Sequence, residues 1–328
     1  MASIKDVAKL AGVSPAAISK YFKTPENMKQ ETKDKITKAI ETLHFRPNQL
    51  ARSLRMGHSN IIAIAIPEVD NPYFNAIFKR IQSLSSEKGL LPLLLKTNSE
   101  REISATVDLL KSGLVDGAIC YDAGSIDVLI SDEEIHIPLV RLSPLSDSSY
   151  PASIFIDLRT GMNLLCAHLE SSGAKVIGWI GPTDDASSRQ KFNTVKEFCA
   201  THTLMLDKDV VLTNCYGYNE SFTCCEQMLS SVRDLPDAII CESDMIAMGV
   251  LKSLSRHGVA VPEEIMLAGY DNTDISLMSN PSVTSVDIPL EGICRKSLEM
   301  LCSLIDGQTV EPIIFQTDLE IRTSTKRE

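Results

Sequence analysis

Ten short, mainly apolar runs recur between residues 61 and 288, with helix-like stretches between them: IIAIAIP, LLPLLL, DGAICY, IPLVRL, SIFIDL, VIGWIGP, DVVLTN, AIICESD, IMLAGYD and VTSVDI. Runs that are apolar at successive positions, not only at alternate ones, belong to strands covered on both faces. Such strands alternating with helices build doubly wound parallel sheets. Ten of them are too many for one sheet in a chain of this length. The pattern therefore predicts a two-lobed α/β body, with one lobe near 61–159 and the other near 160–288. The segments LEGICRKSLEMLCSLIDG and PIIFQTDLEIR are expected to return to the first lobe, adding residues 289–328 to it. A ligand belongs in the crevice between such lobes, at the carboxyl ends of the strands.

The 328 residues are 44% hydrophobic and 23% charged, an ordinary globular composition. No apolar run approaches the roughly 20 residues that a membrane helix needs, and the N-terminus has no signal-peptide stretch, so a cytoplasmic location is expected. Nine cysteines occur without a C-x-x-C pair. That count and spacing argue for reduced, structural thiols and against a disulfide framework or a zinc site. Charge is divided unevenly within a net of −11: residues 1–57 carry eleven Lys or Arg against five Asp or Glu, and the remainder 21 against 38. A small basic head on an acidic body fits nucleic-acid binding at the head alone.

The head has the local signals of an all-α helix-turn-helix unit. Ser3 and Asp6 have capping-box spacing, Ile4, Val7, Ala8 and Leu10 form an apolar stripe, and Ala11-Gly12-Val13 makes a tight turn. Ser14 caps a second helix with Pro15 at its first position, and Ile18 and Phe22 form an i, i+4 pair. A third helix, QETKDKITKAIETL, offers Ile36, Ala39, Ile40 and Leu43 on one face. In a helix-turn-helix the second helix lies in the major groove.

The segments IKDVAKLAGVSPAAISKYF and ETKDKITKAIETLHFRPNQLARSLR, with the strand IIAIAIP behind them, resemble the lactose and galactose repressor family of bacterial transcription regulators, a likeness that spans the chain. The resemblance implies a helix-turn-helix domain at 1–47, a hinge helix at 48–57, and an effector-binding and dimerisation domain at 58–328 of the periplasmic-binding-protein type. Pro15 and Ala16 would face the bases, with Lys20 hydrogen bonding a guanine, while Lys5, Ser14, Ser19 and Thr32 would hold phosphates. Pro15 and Ala16 depart from the larger polar residues often found there and offer only apolar contact. In the hinge, Asn48 and above all Leu54 would meet the minor groove, Leu54 as an apolar wedge that unstacks a base step. A helix that short is unstable alone, so its formation can be coupled to the body.

By the same resemblance Tyr73 and Phe74 would stack on an effector, Ser243 and Asp244 would supply a polar residue and a carboxylate, and Asp271 would bind sugar-like hydroxyls. Asp244 also stands where it can cap a helix. The cation of the site is Lys191 by ungapped spacing from Gly181-Pro182 and Arg189 if the alignment slides. Tyr216 would pack on the ligand. Ile288 stands where the family often has a polar residue.

No G-x-G-x-x-G after a strand, G-x-x-x-x-G-K-[ST], H-E-x-x-H or G-x-S-x-G occurs, so no enzyme, catalytic residue, cofactor or metal is expected. An exported sugar-binding protein would have the body without the head. The expectation is a ligand-responsive repressor of a carbohydrate-utilisation operon. It would bind near-palindromic double-stranded operator DNA as a homodimer and answer to a sugar or sugar phosphate. The alternatives are a regulator of nucleoside or purine response and a small-molecule-binding protein without a role in gene regulation. The chain reaches IRTSTKRE without a heptad segment, so a separate tetramerising helix is not expected.

Overall fold

The computed structural model describes residues 2–45, 58–121, 135–144 and 150–327. The chain forms two compact units, residues 1–59 and 60–328. The expected hinge helix, with Asn48 and Leu54, lies outside the described residues.

In the head, α1 (Ile4–Ala11) opens on a complete capping box: Ser3 accepts from the Asp6 amide, and the Asp6 carboxylate accepts from the Ser3 amide. It closes on Gly12, whose φ of 65° is the left-handed conformation that a glycine adopts without steric cost. Ser14 caps α2 (Pro15–Lys23) by accepting from the Ala17 amide. Helix α3 (Gln30–Thr42) completes a core of Val7, Ala8, Ala11, Ile18, Ile36, Ala39 and Phe45. The Tyr21 and Thr37 hydroxyls, 2.8 Å apart, tie α2 to α3. Leu10 falls off the expected stripe: it is half exposed, because the buried face of α1 runs through Val7, Ala8 and Ala11.

The body holds all ten expected strands, and two more. In chain order its elements are β1 (Ile61–Ile66), α4 (Pro72–Glu87), β2 (Leu91–Lys96), α5 (Glu100–Lys111), β3 (Gly117–Tyr121), β4 (Leu139–Ser143) and β5 (Ser153–Asp157). There follow α6 (Leu158–Ser171), β6 (Val176–Ile180), α7 (Ala186–Thr201), β7 (Met205–Leu212), α8 (Tyr218–Ser231), β8 (Ala238–Cys241) and α9 (Asp244–Arg256). The last are β9 (Met266–Asp271), α10 (Asp274–Met278), β10 (Thr284–Asp287), α11 (Leu290–Ile305), β11 (Ile313–Gln316) and β12 (Asp318–Glu320). The first lobe's sheet has the order β11-β5-β4-β3-β1-β2 and the second's β12-β10-β9-β8-β6-β7. All pairings are parallel except β10 with β12.

The chain crosses between lobes after β5, after β10 and after β11. One buried apolar cluster joins the lobes there, from Ile64 and Ile156 through Leu158 and Met162 to Trp179, Tyr270 and Val286. At Gly161 the crossing segments approach so closely that a Cβ would lie 2.3 Å from Val286 Cγ1 and 2.5 Å from Thr317 Oγ1. The Gly161 amide instead donates to that hydroxyl at 2.8 Å.

The third crossing corrects one expectation. Only β11 and α11 return to the first lobe, while residues 318–327 bind the second. Antiparallel pairing sets Ser285 opposite Glu320, and beyond it Ser324 donates to Leu267 O while the Thr325 hydroxyl sits 2.7 Å from both Thr284 Oγ1 and His168 Nε2. Strand β10 lies at one edge of the second sheet, and the tail pairs with its open side.

Candidate functional site

Two surfaces gather the residues singled out by the sequence. On the head, Ser14, Pro15, Ala16, Ser19 and Lys20 are exposed along one side of α2, at the i, i+1, i+4 and i+5 spacing that puts residues on one helix face, and Lys5 is exposed on α1. Thr32, in the first turn of α3, is half-buried.

The second surface is in the body. Asn71 caps α4 by accepting from the Tyr73 amide, with Pro72 in the first turn, and this sets Tyr73 and Phe74 at the helix start. Tyr121, the last residue of β3, meets both rings edge-on, with centroids 5.8 Å from Tyr73 and 4.9 Å from Phe74. Tyr73 is only 4% exposed, yet among the described residues its hydroxyl has no partner in good hydrogen-bonding geometry. Burial raises its pKa far above the usual range, with the neighbouring Tyr121 and Asp271 adding to the shift.

From the second lobe come the charged groups. Asp271 ends β9 with φ 102°, a conformation that costs a non-glycine residue of order 1–3 kcal/mol and persists where surrounding structure enforces it. The enforcing bonds fall on Asn272: its amide donates to Ser285 Oγ, its Nδ2 to Asp287 Oδ1, and its Oδ1 accepts from the Arg322 guanidinium. Asp271 is 7% exposed, and no described residue hydrogen bonds its carboxylate. Its pKa stands well above the carboxylate range through burial, which outweighs the opposing Lys191 charge; Asp244 and Glu242 push it the same way.

The sequence left the cation open between Lys191 and Arg189, and the structure separates them. Lys191 lies on the buried face of α7 with Ser188, Thr194, Val195 and Phe198, whereas Arg189 is exposed and donates to the Asp184 backbone carbonyl. Lys191 Nζ donates to Glu242 Oε1 at 2.6 Å and to the Glu242 carbonyl at 3.2 Å, and sits 4.1 Å from the Tyr270 ring centroid. Burial alone would lower the Lys191 pKa, but the Glu242 and Asp271 carboxylates outweigh it and hold the value above normal.

One expectation needs correction. Asp244 is fully buried and its oxygens are already committed: Oδ2 accepts from the Thr273 amide and hydroxyl at 2.7 and 2.8 Å, and Oδ1 from Ser285 at 2.6 Å. It braces the strand ends and offers nothing to a ligand, nor does it cap α9, whose N-cap is Ser243. Tyr216 is 59% exposed, with its hydroxyl donating to Asp184 Oδ2 at 2.9 Å, so it stands on the surface beside Arg189 and not on the buried aromatic group. Ser243 and Ile288 are buried.

Sequence reasoning missed Tyr121 and Glu242. Tyr121 ends β3 and Glu242 directly follows β8, so the strand-end criterion that selected Asp271 would have found them. It also missed Arg322, whose partners lie 50 and 46 residues away in sequence.

A basic head with an exposed helix-turn-helix face, joined to a two-lobed α/β body with a buried polar site, defines a DNA-binding regulator with a ligand-binding domain. Residues 3–48 match the bacterial regulatory proteins of the lacI family, and residues 166–325 match the periplasmic binding protein-like domain. Catabolite control protein A of Staphylococcus epidermidis is 27% identical over 99% of each chain. The HTH-type transcriptional repressor CytR of Escherichia coli K12 is 25% identical over 99% of this chain and 96% of that protein. The lac repressor dimer bound to operator and the anti-inducer ONPF superposes with a TM-score of 0.84 over 99% of each chain at 22% identity. Along nearly its whole length the chain is thus similar to lacI-family transcription regulators, with a DNA-binding head and a ligand-binding body. Among the described residues no helix is long and apolar enough to cross a membrane.

Proposed function

We propose that this protein is a cytoplasmic repressor of a carbohydrate-utilisation operon, binding a near-palindromic operator as a homodimer and changing its DNA affinity when a sugar-class effector enters between the lobes. One observation carries the effector side of this reading: a buried carboxyl, Asp271, held in an unfavourable backbone conformation, receives no hydrogen bond from the described residues and stands near enough to Tyr73 to help raise its pKa, while the rings of Phe74 and Tyr121 pack on Tyr73. A carboxylate accepts from vicinal hydroxyls, and aromatic faces cover the C–H face of a sugar ring. The relatives named catabolite control protein A and MalR favour a role in carbon metabolism, and a solved relative with TM-score 0.71 is a complex of the regulator CelR with cellobiose.

On the DNA side, Pro15, Ala16 and Lys20 would meet base edges, and Lys5, Ser14, Ser19 and Thr32 the phosphates, while Asn48 and Leu54 of the hinge would enter the minor groove. One such head makes few base contacts, and a two-fold pair doubles them on a two-fold operator. An effector moves this equilibrium only through unequal affinity for two lobe arrangements.

The test is selection of duplexes from a random pool by the full-length protein, followed by titration of the selected site with and without sugars. Two inverted half-sites whose affinity changes with a sugar are expected. A single half-site occupied by one chain would remove the dimeric operator, and a response to nucleosides alone would replace the carbohydrate effector.

A further inference from the structure

Lys191, a buried cation on α7, is already neutralised by its own chain. An ammonium has three donors. On Lys191 two of them are spent on Glu242, at 2.6 Å to the carboxylate and 3.2 Å to the backbone carbonyl, and the Tyr270 ring covers another side at 4.1 Å. Ser188 Oγ donates to the same Glu242 oxygen at 3.2 Å and holds the carboxylate in that position. The Lys191 and Glu242 side chains are only 6% and 13% exposed, so water screens neither.

With that pair closed, Lys191 has no charge left to offer a ligand. Asp271 receives no hydrogen bond from the described residues, and ionised or protonated its carboxyl keeps an acceptor oxygen, so what satisfies that oxygen must donate. An anionic ligand would have to displace Glu242 from Lys191 or bury its charge in a water-poor site without a counter-ion, which is costly.

We propose that the effector carries no negative charge, being an uncharged or cationic small molecule that presents hydrogen-bond donors to Asp271, and that Glu242 sets this specificity by occupying Lys191. The donors have two sources, the hydroxyls of a neutral sugar and the ammonium of an amino sugar. The inference rests on the effector site of the preceding subsection. It narrows that site's ligands by excluding sugar phosphates and uronates.

The test follows thermal unfolding of the full-length protein by fluorescence of Trp179, the single tryptophan, buried in the second lobe. A ligand that binds only the native state raises the midpoint by mass action. The probes are glucose and cellobiose, glucosamine, glucose 6-phosphate and galacturonate, and inorganic phosphate, each at about 10 mM and matched ionic strength. The wild type is expected to rise with a neutral or amino sugar and to ignore every anion; which of the two acts identifies the donor. Glu242→Gln, with Lys191 released, is expected to rise by a degree or more with inorganic phosphate. A wild-type midpoint raised by phosphate, glucose 6-phosphate or galacturonate overturns the proposal, as does a Glu242→Gln protein that phosphate leaves unmoved.

If no sugar of any charge acts, the carbohydrate reading fails while the phosphate comparison still decides the role of Glu242. Should Glu242→Gln not fold, the double variant Lys191→Met/Glu242→Gln leaves no ion unpaired. Its affinity for the active sugar is expected within threefold of wild type. A tenfold loss would place Lys191 on the ligand and overturn the assignment.

Discussion

Breaking the Lys191–Glu242 pair from one side should cost far more than removing it whole. At 2.6 Å, and with an effective dielectric of about 20, the two charges attract by roughly 6 kcal/mol, most of which is returned as the lost hydration of both ions. Lys191→Met strands the Glu242 carboxylate with only Ser188 as a donor, and a buried charge left without its partner costs about 3–5 kcal/mol. Glu242→Gln strands the ammonium against Tyr270, but Asp271 lies near enough to compensate in part, so about 2 kcal/mol is expected there. The double variant, with no buried ion, should fall within about 1 kcal/mol of wild type. Urea unfolding followed by Trp179 fluorescence reads all three; with an m-value of about 3 kcal/mol/M, Lys191→Met lowers the midpoint by about 1–1.7 M. A cycle in which each single change costs under about 1 kcal/mol and the two simply add would mean that water reaches both groups. It would also return Lys191 to the ligand.

Further outcomes follow from other residues. Because the folded pKa of Asp271 is raised, the native state keeps a proton that the unfolded chain releases, and stability falls as pH rises from the ordinary carboxylate value through the folded one. Asp271→Asn does not titrate, so its urea midpoint should gain on wild type as pH rises above the ordinary carboxylate value, until the folded group has ionised, and a gain that shrinks with pH would contradict the burial argument. Gly249→Ala places a Cβ 2.3 Å from the Tyr218 backbone oxygen and 2.9 Å from the Phe222 amide nitrogen, so α8 and α9 must separate. About 1–3 kcal/mol of lost stability is expected, and an unchanged melting temperature would show that the helices can give. Lys20→Ala should relax the base preference of the selected operator at one position per half-site at a cost of about 1–3 kcal/mol. A uniform loss with a shallower salt dependence would instead make Lys20 a phosphate contact.

Much of the local structure was legible because its causes are local. The Ser3–Asp6 capping box, Gly12 and the Ser14-Pro15 helix start act within a few residues of where they stand, and the ten apolar runs became the ten strands for the same reason. Even the choice between Lys191 and Arg189 was present as a pattern. Lys191 precedes Val195 by four positions and Phe198 by seven, so it shares their stripe, while Arg189 is turned about 200° away from Lys191 on the same helix. Matching the family's Gly-Pro loop obscured that periodicity.

Other features had no local cause. Glu242 is one more acidic residue in the sequence until α7 brings Lys191 against it from 51 positions away. Asp244 reads as a ligand or a cap until Thr273 and Ser285 arrive from neighbouring strand ends and consume both of its oxygens. Residues 318–327 go to the second lobe because β10 has an unpaired edge there, which no property of the tail itself announces. Helix starts, strand faces and the helix-turn-helix depend on contacts within a turn or two, so the order of residues is enough to set them. Which charges cancel, which carboxylate stays free and where the tail docks depend on groups that only folding brings within a few ångströms, where burial makes each pairing count.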